Sequence, residues 1–213
     1  MSQRLNNLRA RFRSGFPSLW LAVMLSACAA PSIRVEGTFP VPLVNAYPVT
    51  VGWVLDKALT TYVHREKLDK GGDWVIDVGG VQKAMFDSLS RGLFTSHAFL
   101  DEPRAAAPVR GIFVPTIQEL QFSTPKQTRS DYFEVWIKYS FKLYDPDGTL
   151  RGEFPITAYG KANTQNYSMN TTTGALQEAA NAACRDAIAF FTLQFKAIPT
   201  IQAWLRDNGL EAT

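Results

Sequence analysis

The chain has 213 residues, 46% of them hydrophobic and 19% charged, a balance that excludes a disordered segment or a multi-spanning membrane protein and suits one globular domain. Its formal net charge of +3 is unevenly placed: four of the 22 basic residues (Arg4, Arg9, Arg11 and Arg13) fall in residues 1–27, which hold no acid, so the remaining 18 face 19 acidic residues. A near-neutral domain with dispersed Lys and Arg lacks the positive stripe that a phosphate backbone needs, which excludes nucleic acid as the expected partner.

Residues 1–27 have the three parts of an export signal in order: an arginine-rich start, the apolar run Leu19-Trp20-Leu21-Ala22-Val23-Met24-Leu25, and the small pair Ser26-Ala27. The wider, mainly apolar stretch from Phe16 to Ala30 is too short to span a bilayer, and Pro17 interrupts it; a spanning helix needs about 20 residues. Leu25-Ser26-Ala27-Cys28 resembles the lipobox of bacterial lipoproteins. That resemblance implies cleavage before Cys28 and acylation of its thiol and amine with palmitate-type chains. It also implies a destination: Ala29 stands where an Asp would retain the protein in the inner membrane, so the expected site is the outer membrane, facing the periplasm. Three acyl chains, at about 0.8 kcal/mol per buried methylene, would hold far more firmly than one. The competing reading is an ordinary secretory signal cut near Ala29-Ala30, with Cys28 lost in the discarded peptide.

Residues 28–47, with Pro31, Pro40 and Pro42, read as an acylated N-terminus and tether, with room for parts to pack as an extended arm. Residues 48–213 read as a single α+β periplasmic domain. Pro48 to Leu55, rich in β-branched and aromatic residues, predicts the first strand. Thr60 to Leu68 predicts a second, ending in the turn signal Asp69-Lys70-Gly71-Gly72. From Asp77 to Leu93 the residues Val78, Val81, Met85, Leu89 and Leu93 recur at three- and four-residue steps, predicting a helix with Asp77 as N-cap. An extended piece follows near His97 to Leu100. Val109 to Ser123 predicts a long strand, with Pro115 marking an edge or bulge.

The sharpest pattern runs from Tyr132 to Tyr144. Phe133, Val135, Ile137, Tyr139, Phe141 and Leu143 take one face of a strand, while Glu134, Lys138, Ser140 and Lys142 take the other. Asp145-Pro146-Asp147-Gly148 predicts a tight turn, and Leu150 to Lys161 returns as the hairpin partner. Its two alternate acids begin like a calcium loop, but the later ligands are missing. Gly174 to Lys196 predicts a covering helix whose Leu176, Ala180, Ala183, Ala187, Phe191 and Phe195 share a face, and Thr200 to Asn208 a shorter one after Pro199. Cys184 falls inside the covering helix with no activating neighbour in sequence, so packing is its expected role. The order predicts an α+β fold: an antiparallel or mixed β-sheet with amphipathic helices packed mainly on one face.

Chemistry-bearing motifs are sparse. His64 and His97 have no Cys, Asp or Glu at a metal-ligand spacing, Gly71-Gly72 and Gly79-Gly80 lack the rest of a phosphate loop, and no Gly-x-Ser-x-Gly elbow occurs. The expectation is therefore no catalytic residue, no metal and no cofactor. What packing explains least is the second face of the long strand, where Tyr132, Trp136 and Tyr144 interleave with Lys138 and Lys142. Aromatic rings set among charges suit a partner-binding surface, against the alternative that a loop or tail covers them.

Taken with the lipobox, this order of elements resembles the small periplasmic lipoproteins of the YajG type and, more distantly, auxiliary lipoproteins of outer-membrane transport and lipopolysaccharide assembly. The resemblance implies a non-enzymatic, lipid-anchored interaction or assembly module with an envelope protein as partner. A second reading is a carrier or sensor that holds a lipid or glycan between sheet and helix, lined by Phe133, Ile137, Phe141 and Phe191.

Overall fold

The computed structural model describes residues 31–69, 72–167 and 172–210. Its strands are β1 (Ser32–Arg34), β2 (Tyr47–Val54), β3 (Val63–Leu68), β4 (Gly72–Asp77), β5 (Phe94–Leu100), β6 (Val109–Ser123), β7 (Tyr132–Tyr144) and β8 (Leu150–Asn163). Its α-helices are α1 (Lys57–Thr60), α2 (Gln82–Leu93), α3 (Pro125–Thr128), α4 (Thr172–Gln194) and α5 (Pro199–Asp207). A mixed five-stranded sheet has the order β5-β2-β6-β7-β8, and a smaller sheet the order β1-β4-β3. β2 runs parallel to both β5 and β6, whereas β6, β7 and β8 are antiparallel neighbours. The fold is α+β, as the pattern of periods predicts, but with two sheets where one was expected.

The alternation in β7 decides where the core lies. Phe133, Val135, Ile137, Tyr139, Phe141 and Leu143 are all fully buried, and so are Phe154, Ile156 and Ala158 of β8. α4 covers them with Ala175, Ala179, Ala180, Ala183 and Ala187 along its length and Phe191 near its end. Phe191 sits 5.0 Å from the ring of Phe141, and Trp53 of β2 stacks on Phe86 at 4.9 Å and Phe113 at 5.1 Å. Each such ring taken out of water contributes roughly 1.5–3 kcal/mol. The smaller sheet joins the same core, because Trp74 of β4 packs on Phe122 and Phe133 at 5.7 and 5.8 Å.

Three local expectations are corrected. Asp77 does not cap a long helix; it closes β4, and its carboxylate accepts from Gly79 N–H at 3.2 Å, in a 3-10 turn (Gly79–Val81) that leads into α2. Helical spacing from Val78 onward concealed β4, whose own alternation of Trp74 and Ile76, both buried, has period two. Residues 31–39 are not free tether: Ser32 pairs with Val75 in a parallel ladder, and Ile33, Val35 and Phe39 are buried in the core. Only further on does the segment meet solvent, with Leu43 98% exposed. Pro115 lies inside a central strand, but past the last β2–β6 pair, Trp53 with Phe113, so its missing N–H costs no ladder bond on that side. The bulge comes slightly later, between Ile117 and Glu119.

The closest contact between layers is α4 on β8 at Gly160. A Cβ added there would lie 2.1 Å from Ala179 O and 2.3 Å from Ala183 N, both backbone atoms that cannot rotate away. Gly160→Ala is therefore expected to destabilise by about 2 kcal/mol or more through overpacking. Gly80→Ala, where a Cβ meets nothing within 4 Å, is expected to leave stability nearly unchanged. Urea denaturation of both variants checks the pair, and equal midpoints would sink the argument.

Candidate functional site

Because every α-helix of substantial length packs on the core side, the other face of β6, β7 and β8 is bare at its middle. Register sets three rows across it: Ser123 with Glu134 and Lys161, Gln121 with Trp136 and Tyr159, and Glu119 with Lys138 and Thr157. Trp136 is half-buried and leans on Tyr159 with ring centroids 5.2 Å apart, while Lys138 is exposed. Beside them Glu119, Gln121, Trp136, Lys138 and Thr157 line a shallow groove of about 290 Å³.

A hydrogen-bonded chain holds this surface in place. Glu134 accepts from Tyr159 Oη at 2.7 Å and from Ser123 Oγ at 3.0 Å, and Gln121 Nε2 donates to Glu119 at 2.6 Å. Desolvation, then the bond to the Glu134 carboxylate, pushes the Tyr159 phenol up to about 12. The backbone N–H of Tyr159 is taken by Asp186 of α4 at 2.9 Å, which covers one open position of this edge strand.

The five residues expected to form a partner surface do not form one patch. Trp136 and Lys138 meet at the groove. Tyr132 lies near one end of β7, half-buried with Lys161 Nζ 5.1 Å above its ring. Lys142 sits opposite Val114 and Glu153, and Glu153 accepts from the hydroxyl of Ser140. Tyr144, at the far end, packs into a second small apolar cluster with Val54, Val109, Ile112, Leu100 and Ala105. The loop 101–108 closes over that end, with Ala105 N–H donating to Pro146 O at 3.0 Å and Arg104 Nε to Asp147 O at 3.2 Å. So the covering loop applies to Tyr144 and the open surface to Trp136 and Lys138. Glu119, Gln121 and Thr157 were missed. Thr157 was within reach, since the Asp145–Gly148 turn fixes the hairpin register; the bulge before Glu119 hid the other two.

Cys28 lies outside the described residues. Cys184 is fully buried as a free thiol against Tyr139, whose hydroxyl reaches Gln82 Oε1 at 3.3 Å, and Gln82 Nε2 in turn donates to Val78 O at 2.9 Å. His64 pairs with Glu66 and His97 with Asp87, each at 3.1 Å. Among the described residues no three His, Cys, Asp or Glu side chains converge on a common point suited to a metal ion, and no helix is long and apolar enough to cross a membrane. Between sheet and helix there is no room for a ligand beside Phe133, Ile137, Phe141 and Phe191, because these side chains fill the space themselves and none is more than 2% exposed.

No family model matches the chain, and no curated protein does. Among solved structures it is similar to protein XCC0632 from Xanthomonas campestris, described with the family model DUF330, at a TM-score of 0.52 and 13% identity over 84% of this chain and 99% of that one. It is also similar to a minor lipoprotein from Acinetobacter baumannii, at a TM-score of 0.39 and 14% identity over 73% of this chain and 94% of that one. The Xanthomonas structure shows a shared fold.

Two measurements check the site. Burial pushes the Cys184 thiol up to about 12, so its reactive thiolate form is scarce in the native protein near pH 8. Native protein is expected to resist a thiol reagent that reacts promptly in denaturant; prompt native reaction would refute the packing. Glu134→Gln is expected to lower the Tyr159 phenol toward its ordinary value of 10.0, followed by NMR of ring-labelled tyrosine against a Tyr159→Phe control.

Proposed function

We propose that this chain is a lipid-anchored envelope protein, acylated on Cys28, acting as a non-enzymatic interaction or assembly module at the periplasmic face of the outer membrane. The lipobox Leu25-Ser26-Ala27-Cys28 supports the anchor. The observation that carries the interaction reading is the sheet face around Trp136 and Lys138, which none of the described helices covers and which a hydrogen-bonded network of Glu134, Tyr159 and Ser123 supports from one side. A pre-ordered aromatic ring with a polar rim loses little entropy on docking. A protein partner in the envelope is the reading this surface favours.

The groove beside Trp136 favours one second reading. An indole flanked by a carboxylate, an amide, an ammonium and a hydroxyl suits a glycan, which would lie on the open sheet face rather than inside the core.

Metabolic labelling with a clickable palmitate, wild type against Cys28→Ala, tests the anchor together with membrane fractionation. Label lost with the cysteine, and wild type recovered in the outer-membrane fraction, is the expected result; an unlabelled, soluble periplasmic protein refutes it. Cross-linking in intact cells then compares wild type with Trp136→Ala and Lys138→Glu. Both variants are expected to stay folded and membrane-bound yet lose their cross-linked product, whereas an unchanged product would remove this face from the docking surface.

A further inference from the structure

We propose that one particular end of the domain, built from the end of β3, the start of β4 and the β6–β7 connection, lies on the zwitterionic headgroups of the bilayer; this inference rests on acylation at Cys28.

The chain's reach imposes it. Ser32, whose neighbour across the ladder is Val75, comes four residues after Cys28, and four residues extend at most about 14 Å. Pro31 is already fixed, since its carbonyl accepts from Val75 N–H at 3.0 Å. The acyl chains enter the bilayer at Cys28, so β1 begins within that distance of the headgroups. Only Ala29 and Ala30 separate Cys28 from Pro31.

The ladder also says which end is held. β1 is parallel to β4, with Ser32 beside Val75 and Arg34 beside Asp77, so the chain before Ser32 leads back toward the start of β4 at Gly72. Leu68 and Gly72, which pair where β3 meets β4, therefore lie at the end from which the chain enters β1. This end borders the β6–β7 connection across a groove of about 490 Å³ to which Leu68 and Asp69 contribute from one side and Thr124 and Gln127 from the other. The β8–α4 connection reaches the same end, where Thr164 N–H donates to Asp131 O at 2.8 Å.

The opposite end is separated from it by the length of β7, roughly 40 Å for its thirteen residues. There the loop 101–108 and the hairpin turn are bonded together, and Arg151 joins Asp145 at 2.5 Å to Asp207 of α5 at 2.6 Å. A domain tethered within about 14 Å at one end presents the other to the periplasmic space.

Charge identifies the kind of lipid surface. The anchor end exposes Lys67, Lys126 and Arg129 together with Asp69, Asp73 and Asp131, so both signs lie side by side, Lys67 directly opposite Asp73. That mixture suits headgroups carrying a phosphate and an ammonium, and it predicts little dependence on salt or on added anionic lipid.

The test uses the full, acylated protein in vesicles of phosphatidylethanolamine and phosphatidylcholine that contain a headgroup-labelled nitroxide lipid. Single cysteines placed by Asp69→Cys, Ser130→Cys and Glu102→Cys carry a maleimide fluorophore, and the parent protein controls for labelling of Cys184. Several-fold stronger quenching at positions 69 and 130 than at 102, unchanged by high salt, is expected. Equal quenching at all three, or the strongest at 102, overturns the orientation, and strong loss with salt overturns the choice of headgroup. Intact mass and vesicle flotation report separately on the anchor: a protein that lacks acyl chains and stays in solution overturns both the anchor and the inference built on it.

Discussion

Everything in this molecule follows from the backbone-to-backbone approach of α4 to β8. Gly160 removes the one Cβ that would keep them apart, and the alanines at 175, 179, 180, 183 and 187 present a face flat enough to meet it. Close approach lets a long helix lie along two antiparallel strands and places Phe191 where five aromatic side chains, Trp53, Phe113, Phe141, Phe154 and Phe195, come within 6.3 Å of it. Dispersion between rings at these distances is worth little per atom pair and much in sum, which favours a solid centre over a binding cavity.

That choice has a functional cost on one side and a gain on the other. Phe133, Ile137, Phe141 and Phe191 fill the space between these layers, so the interaction proposed above is assigned to the exterior. Since the helices and the small sheet all occupy one face of the five-stranded sheet, the other face is where polar side chains meet solvent. Its residues are not idle: Glu134 holds Tyr159 and Ser123, and Tyr159 in turn supports Trp136. A ring held this way enters a complex having already lost its freedom, and little more is lost when a partner arrives.

Elements whose signal is local were legible in the sequence. β6 and β7 occupy Val109–Ser123 and Tyr132–Tyr144, the spans their patterns define, because period-two alternation and the turn residues Asp145-Pro146-Asp147-Gly148 act over short distances. β1 was not legible: three residues among prolines carry no period, and their partner in β4 lies 43 residues away. β4 was lost to the helix that follows it, since Val78 and Val81 fit the helical spacing as well as the strand's own continuation. At the site, Trp136 and Lys138 stood out as an aromatic and a cation on a polar face, but Glu119 and Gln121 depended on a bulge that no residue type announces.

The position of β1 changes what the N-terminus means. Read as a tether, residues 28–47 would let the domain sample many orientations and distances from its membrane, and any docking face would work equally well. Paired to β4 and buried through Ile33, Val35 and Phe39, residues 32–39 become part of the domain. With Cys28 acylated as proposed, a body joined to the bilayer through so short a segment would have few orientations, and the sheet face around Trp136 would stand at a defined height beside the membrane. On that proposal a partner docking on this face would itself be positioned near the same membrane, which narrows its class more than the chemistry of the groove alone can do.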